Sequence, residues 1–316
     1  MTNLHGYFTA LVTPMRADGS IDLDRFENFV DWQITEGIQG LVPCGTTGES
    51  PTLTMGEQGE LIRTAVRVAD RRVPVIAGAG ANSTAEAIEL SHIAQNAGAD
   101  ALLQVVPYYN KPSQRGIYAH FKAIHDATDL PIILYNVPGR TVANMSIDTQ
   151  TALSELPRIV GVKDATNDLH RVGQTRAASG DDFIQLTGED ANVLRFLQLG
   201  GHGAISVTSN IAPRLCANLF NAHARGDGAE AARIHLQLMP LHDAMFVKVA
   251  GEEDPSPCQV KYAAAQLGLI EENLRLPMVP AGIQTRRAVD IALHDLRTAY
   301  AHRPAGAMPQ LRAVMG

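Results

Sequence analysis

Cysteine is scarce in this chain. Only Cys44, Cys216 and Cys258 occur among 316 residues, and no two of them stand at C-x-x-C spacing. An odd, sparse set argues against a disulfide framework and against structural zinc. Clustered positive charge is missing as well: the formal net charge is -7, and no long Lys/Arg run occurs. Duplex nucleic acid is thereby a poor partner, because phosphate binding needs grouped cations. A small anionic substrate stays open, since one or two placed arginines serve it. No run of about 18 apolar residues is present, so no membrane-spanning helix is expected. The opening MTNLHGYFTALVTPMR carries no basic segment ahead of its short apolar run, unlike a secretory signal. The setting expected from these absences is reducing and cytoplasmic. The 11 histidines show no HxH or HxxxH spacing. His92, His120, His125 and His242 read as helix-face residues, and no metal site is expected.

What is present is a globular composition, 45% hydrophobic and 19% charged, enough for a large core. Short β-branched runs recur: GYFTALVTP from Gly6, GIQGLVPCG from Gly37, VPVIAGAG from Val73 and ADALLQVVP from Ala99. LPIILYNVP from Leu130, RIVGVKDA from Arg158, DFIQLTGED from Asp182 and GAISVTSN from Gly203 continue the series. Each run precedes a polar loop and a segment with helical spacing, such as Leu23, Phe26, Val30 and Ile34, or Ala87, Leu90, Ile93 and Ala94. The runs are continuously apolar rather than alternating, as in parallel strands covered on both faces. Eight such units favour an α/β architecture closed as a (β/α)8 TIM barrel over an open doubly wound sheet. After Asn210 the strand pattern stops, and 215–225, 229–246, 260–267 and 285–301 read as helices. The expected organisation is a barrel core over 1–210 carrying the active site, a C-terminal helical extension over 211–300, and a loose tail over 301–316.

Two glycine-rich stretches are decoys. VPVIAGAGANSTAEAI places GxGxxS between strand and helix, but lacks the third glycine and the acidic residue of a dinucleotide site; Ser83-x-x-Glu86 reads as a capping box. GTTGES lacks the lysine of a phosphate loop.

Barrel enzymes carry their chemistry at the C-terminal ends of the strands. Thr46 and Thr47 follow strand two, Tyr108 and Tyr109 strand four, and Tyr135 lies late in strand five with Arg140 just beyond. Lys163 ends strand six. Alternation puts Gly161 and Lys163 on one face and Val160 and Val162 on the other. With the valines toward the helices, Lys163 points into the barrel and Gly161 leaves room beside it. A lysine ordinarily titrates near 10.4, whereas a desolvated one is a neutral amine able to form a Schiff base. The competing reading is an ion pair with Asp164 or a solvated tip. Tyr135 is either a core aromatic or a proton shuttle. Arg140 is either a surface salt bridge or a fork for a carboxylate. The two threonines either cap a turn or bind a carboxylate.

GTTGES, PYYNKP, YNVPGRT, GVKDAT and GGHGAISVTSN, in this order and at these separations, resemble the dihydrodipicolinate synthase (4-hydroxy-tetrahydrodipicolinate synthase) family. That family belongs to the pyruvate-dependent aldolases that include N-acetylneuraminate lyase. The resemblance runs from about Tyr7 to Ala292. It implies a Schiff base between Lys163 and pyruvate, with Tyr135, Thr46 and Tyr109 as a hydroxyl relay, Tyr109 being lent by a neighbouring subunit. It implies that Thr47 holds the pyruvate carboxylate, that Arg140 receives the carboxylate of aspartate semialdehyde, and that Ile205 lines the site through its backbone carbonyl. It further implies a homotetramer, a dimer of dimers, without metal or organic cofactor. Lyase-type relatives acting on N-acetylneuraminate or 2-keto-3-deoxy sugar acids share the lysine and tyrosine but depart from GTTGE or GRT, both of which this chain keeps. A sensor built on a retired barrel is the remaining alternative, and the four relay residues together speak against it.

Ser50, Asn82, Glu86 and Tyr108 match positions of an allosteric lysine cleft in that family. Lysine-sensitive bacterial members often carry a histidine pair where this chain has Met55 and Gln58, so weak or absent lysine inhibition is expected. SPCQVK (256–261) departs from the family's NPxPVK-like segment and follows an apparent insertion at 248–255. This departure is expected to affect the packing of the C-terminal helices rather than the site.

Overall fold

The computed structural model describes residues 3–247 and 254–301; the expected tail beyond 301 and most of the insertion at 248–255 lie outside them. Each apolar run contains one strand. They are β1 (Gly6–Ala10), β2 (Gly40–Val42), β3 (Ile76–Gly78), β4 (Ala101–Val105), β5 (Ile132–Asn136), β6 (Ile159–Asp164), β7 (Ile184–Thr187) and β8 (Gly203–Ser206). All pair in parallel in the order β2-β1-β8-β7-β6-β5-β4-β3. The two ends of this sheet meet: Leu41 and Val75 form a parallel bridge, and Gly78 N–H donates to the Pro43 carbonyl at 2.9 Å. The sheet is therefore a nearly closed barrel.

Helices follow the strands on the outside: α1 (Leu23–Thr35), α2 (Met55–Ala69), α3 (Thr84–Ala97), α4 (Gln114–Ala127), the short α5 (Pro138–Thr141), α6 (Ile147–Ser154), α7 (His170–Ser179), α8 (Val193–Gln198) and α9 (Pro213–Ala224). The polar loops start them. Asp22, Thr54, Ser83, Ser113 and Ser146 each accept a backbone N–H of the first turn, a cap worth about 1 kcal/mol each. The full reciprocal capping box forms at Thr54 and Glu57. At Ser83 only the hydroxyl half forms, and Glu86 faces a cleft instead. Helix α9 packs against β1 and α8. The added layer consists of α10 (Gly228–Met245), α11 (Cys258–Gln266) and α12 (Ile283–Ala301). No helix among the described residues is long and apolar enough to cross a membrane. The three cysteines are buried and free.

Alternation splits the core into two layers. Phe8, Val42, Ile76, Leu103, Ile133, Tyr135, Leu186 and Ile205 fill the barrel interior. Tyr7, Leu41, Leu102, Leu134 and Val162 face the helices. One expectation fails at β6. The pairing with β5 jumps from Ile132–Ile159 to Ile133–Gly161, so Val160 is an extra residue at a bulge and packs with the interior layer instead of beside Val162. A bulge of this kind breaks the two-residue period locally and leaves Lys163 in register with Tyr135.

Candidate active site

The inward faces of β5 and β6 bring Tyr135 and Lys163 side by side as register partners at the C-terminal mouth of the barrel. Lys163 is 7% exposed. Its Nζ lies over the Tyr135 ring, 4.3 Å from the centroid. Asp164, the candidate ion-pair partner, is taken by Arg171 at 2.8 Å. Among the described residues the Lys163 side chain has neither an ion pair nor a hydrogen bond. The room beside its stem does not come from Gly161, where an added Cβ would meet the Ile184 carbonyl oxygen on β7 at 2.5 Å. It comes from Gly188, where an added Cβ would stand 2.9 Å from Lys163 Cε.

The Lys163 pKa is lowered to about 8: burial is the main cause, Asp190 and Glu189 oppose it, and Arg140 adds a smaller push in the same direction. At pH 7 about a tenth of such an amine is free base, against a few parts in ten thousand for an ordinary lysine. Tyr135 goes the other way: burial raises its pKa to about 12, against the opposing pull of Arg140 and of the Thr46 side chain. The site thus pairs an accessible free amine with a phenol that stays protonated. Both properties follow from one cause, the cost of charge in a dry cavity.

Thr46 and Thr47 enter from a 3-10 turn, Thr46–Gly48, after β2. The Gly48 carbonyl of that turn accepts the Thr13 hydroxyl at 2.7 Å. Both threonines, Arg140 and Ile205 line a cavity of about 100 Å³ with Lys163 and Tyr135. Arg140 rides on α5, is exposed, and has no carboxylate partner among the described residues; its Nη2 donates to the Ser256 carbonyl at 3.4 Å. An unpaired guanidinium at the rim of a cavity floored by an amine suits an anionic carbonyl compound.

Tyr109 stands apart. It is 88% exposed, has a φ of 71°, and is outside the cavity of its own chain. Tyr108, Ser50 and Glu86 line a second cleft of about 330 Å³ with Met55 and Gln58. Asn82 is not among the residues that line this cleft; it follows the lining residue Ala81, and its carbonyl accepts the Asn110 side-chain amide at 2.9 Å. Thr46 and Arg140 line both cavities.

Sequence reasoning missed Glu189 and Asp190, although they follow β7 just as the identified groups follow their strands. Asp190 Oδ2 accepts from the N–H groups of Val207 and Thr208, at 3.0 and 2.9 Å, and so ties the ends of β7 and β8 together. Phe246 and Ser256 also line the cavity and carried no signal, because they come from beyond the strand pattern. Glu189 gives a direct check on the electrostatics. Its charge holds the Lys163 proton on. Reductive methylation of Lys163 by formaldehyde should accelerate through about pH 8, and Glu189→Gln should move that rise to lower pH. A rise that stays put or moves to higher pH would contradict the arrangement.

The model of the dihydrodipicolinate synthetase family matches residues 3–296. The chain is 57% identical over 288 residues to the 4-hydroxy-tetrahydrodipicolinate synthase of Rhodospirillum centenum, covering 91% of this chain and 97% of that one. It is 55% identical over 292 residues to the protein of the same name from Bradyrhizobium diazoefficiens, covering 92% and 96%. Among solved structures, the chloride-inhibited dihydrodipicolinate synthase of Acinetobacter baumannii complexed with pyruvate matches with a TM-score of 0.89. That match is 42% identical and covers 93% of this chain and 99% of that one.

Proposed function

The chain belongs to the dihydrodipicolinate synthetase family, and from that premise we infer that it condenses pyruvate with L-aspartate 4-semialdehyde, giving 4-hydroxy-tetrahydrodipicolinate for lysine and diaminopimelate biosynthesis. It is an aldolase-type lyase. The observation that carries the residue assignment is the dry, unpaired Lys163 amine lying over Tyr135 at the barrel mouth.

The free amine of Lys163 adds to the keto carbon of pyruvate, and Thr47 holds the carboxylate. The carbinolamine loses its oxygen as water, with a proton supplied through the Tyr135 and Thr46 hydroxyls. The iminium that results withdraws electrons from the methyl carbon, whose proton leaves through the same hydroxyls to give an enamine. The enamine carbon bonds to the aldehyde carbon of the semialdehyde, and the aldehyde oxygen takes up a proton. Arg140 holds the second substrate's carboxylate. The semialdehyde's amino group then attacks the iminium carbon, the ring closes, and the Lys163 amine departs. The Ile205 backbone forms part of the wall. Tyr109 completes the relay in the site of a second copy, which accounts for an aromatic ring left in solvent on a left-handed backbone. The assembly is a homotetramer built as a dimer of dimers, in the cytoplasm.

The deciding experiment compares turnover of pyruvate with aspartate semialdehyde against cleavage of N-acetylneuraminate. The first should proceed and the second should not; the reverse would overturn the reading. The cleft lined by Ser50, Glu86 and Tyr108, with Asn82 next to its lining residue Ala81, serves as a regulatory site only weakly here. Gln58 spends its amide on the carbonyls of Ser50 and Leu53, at 3.4 and 3.5 Å, and the thioether of Met55 cannot replace an imidazole donor. Sub-millimolar lysine should leave the rate unchanged, and strong inhibition in that range would refute this.

A further inference from the structure

Lys261 and Glu49 are 212 positions apart in the chain and meet in the interior. Lys261 Nζ donates to Glu49 Oε1 at 2.6 Å, with side chains 0% and 1% exposed. The same ammonium donates to the Asn273 carbonyl. Glu49 Oε2 accepts the Arg275 backbone N–H at 3.0 Å. An ion pair this dry is an inefficient source of stability, since desolvating both charges offsets most of their attraction. What it does supply is direction, because an ammonium must meet oxygens at fixed distances whereas an apolar contact can slide.

The part being fixed is the loop of the two threonines. Glu49 sits at φ 58° and ψ 35°, between the 3-10 turns Thr46–Gly48 and Ser50–Thr52. This is a left-handed conformation that side chains disfavour. Its N–H donates to the Thr46 carbonyl at 3.1 Å, and its own carbonyl accepts the Thr52 N–H at 3.0 Å. Arg275 grips the far side of the same loop, with Nη1 donating to the Thr52 carbonyl and to Glu57 Oε2, each at 2.8 Å.

Resting on the reading above, we propose that the Lys261–Glu49 pair is a positioning device through which the C-terminal layer sets Thr46 and Thr47 against pyruvate. Neither residue touches the cavity; both act through the turn. The SPCQVK segment thus reaches the threonine loop through Lys261, a position at which it keeps the NPxPVK-like pattern. Displacements of about 1 Å remote from the chemistry can cost up to about 100-fold, so loosening this anchor should be visible in pyruvate binding first.

The test uses the full chain and the double variant Glu49→Gln with Lys261→Met, which leaves no lone buried charge. Schiff-base formation is trapped with borohydride over a pyruvate titration and read by intact mass. Half-saturating pyruvate should rise about tenfold or more, with the aspartate semialdehyde KM unchanged within about twofold, since Arg140 rides on α5 and not on the threonine loop. Arg275→Ala, which keeps the ion pair and removes the outer grip, should shift pyruvate in the same direction by less, and decides the matter if the double variant does not fold. A folded variant with the pyruvate dependence of the unmodified protein would overturn the proposal. So would equal losses toward both substrates, which denote a structural role only. If the unmodified protein forms no adduct, the assignment of Lys163 falls and this inference falls with it.

Discussion

Lys163→Ala should lower turnover on the order of 10⁴–10⁶-fold, the range seen when a covalent nucleophile is removed, and should abolish the borohydride-trapped pyruvate adduct. Every later step needs the electron sink that only the iminium supplies. Among the described residues no second amine lines the cavity, and its other cationic group is the guanidinium of Arg140. An adduct on the alanine variant, or a loss of only a few fold, would contradict the covalent route. A stability effect of opposite sign should accompany the loss. The Lys163 pKa falls from 10.5 to about 8 on folding, so its charge opposes the folded state by about 3 kcal/mol. That opposition is fully present below pH 8, where both states are protonated, and fades as pH rises toward 10.5. Lys163→Met, which keeps the volume of the stem, should therefore melt no lower than the unmodified protein at pH 7. Its advantage should shrink in more alkaline buffer. A clear fall in melting temperature at neutral pH would show that the lysine is held by favourable contacts, not merely confined.

The barrel was legible because parallel strands covered on both faces read as unbroken apolar runs, and every run from GYFTA to GAIS holds a strand. The mouth was legible for the same reason: polar groups at the ends of such runs have one place to converge. Thr46, Thr47, Tyr135, Arg140, Lys163 and Ile205 all reach one cavity. Local irregularity was not legible. The bulge at Val160 depends on how β5 and β6 pair, and a strand's own residues do not encode its partner's register. Nor does the space at Gly161 show in sequence, since the atom that fills it belongs to β7. The longest-range feature was the least visible. Glu49 is one letter of GTTGES and Lys261 the end of an irregular segment, and no local pattern joins residues that meet across the whole fold.

Tyr135→Phe should slow turnover by about 10²–10⁴-fold, the usual worth of a general acid–base group, while sparing the covalent step more than the proton transfers. The ring that faces the Lys163 amine at 4.3 Å from its centroid is retained by phenylalanine, so the environment that keeps the amine reactive persists. What is lost is the hydroxyl. With a pKa near 12 it is protonated at working pH, and it shares the cavity with the Thr46 side chain, so it can pass a proton on only by accepting another in the same motion. Thr46, held by its own turn, cannot follow the missing oxygen into the cavity. Two measurements separate the steps. Adduct trapping reports amine attack and loss of water, and should slow less. Exchange of pyruvate methyl protons in deuterated buffer reports enamine formation, and should fall with turnover. Exchange at the unmodified rate in the phenylalanine variant would remove Tyr135 from the relay and leave it as a wall of the cavity. Equal loss of trapping and exchange would place its contribution at the first proton transfer, before the iminium forms.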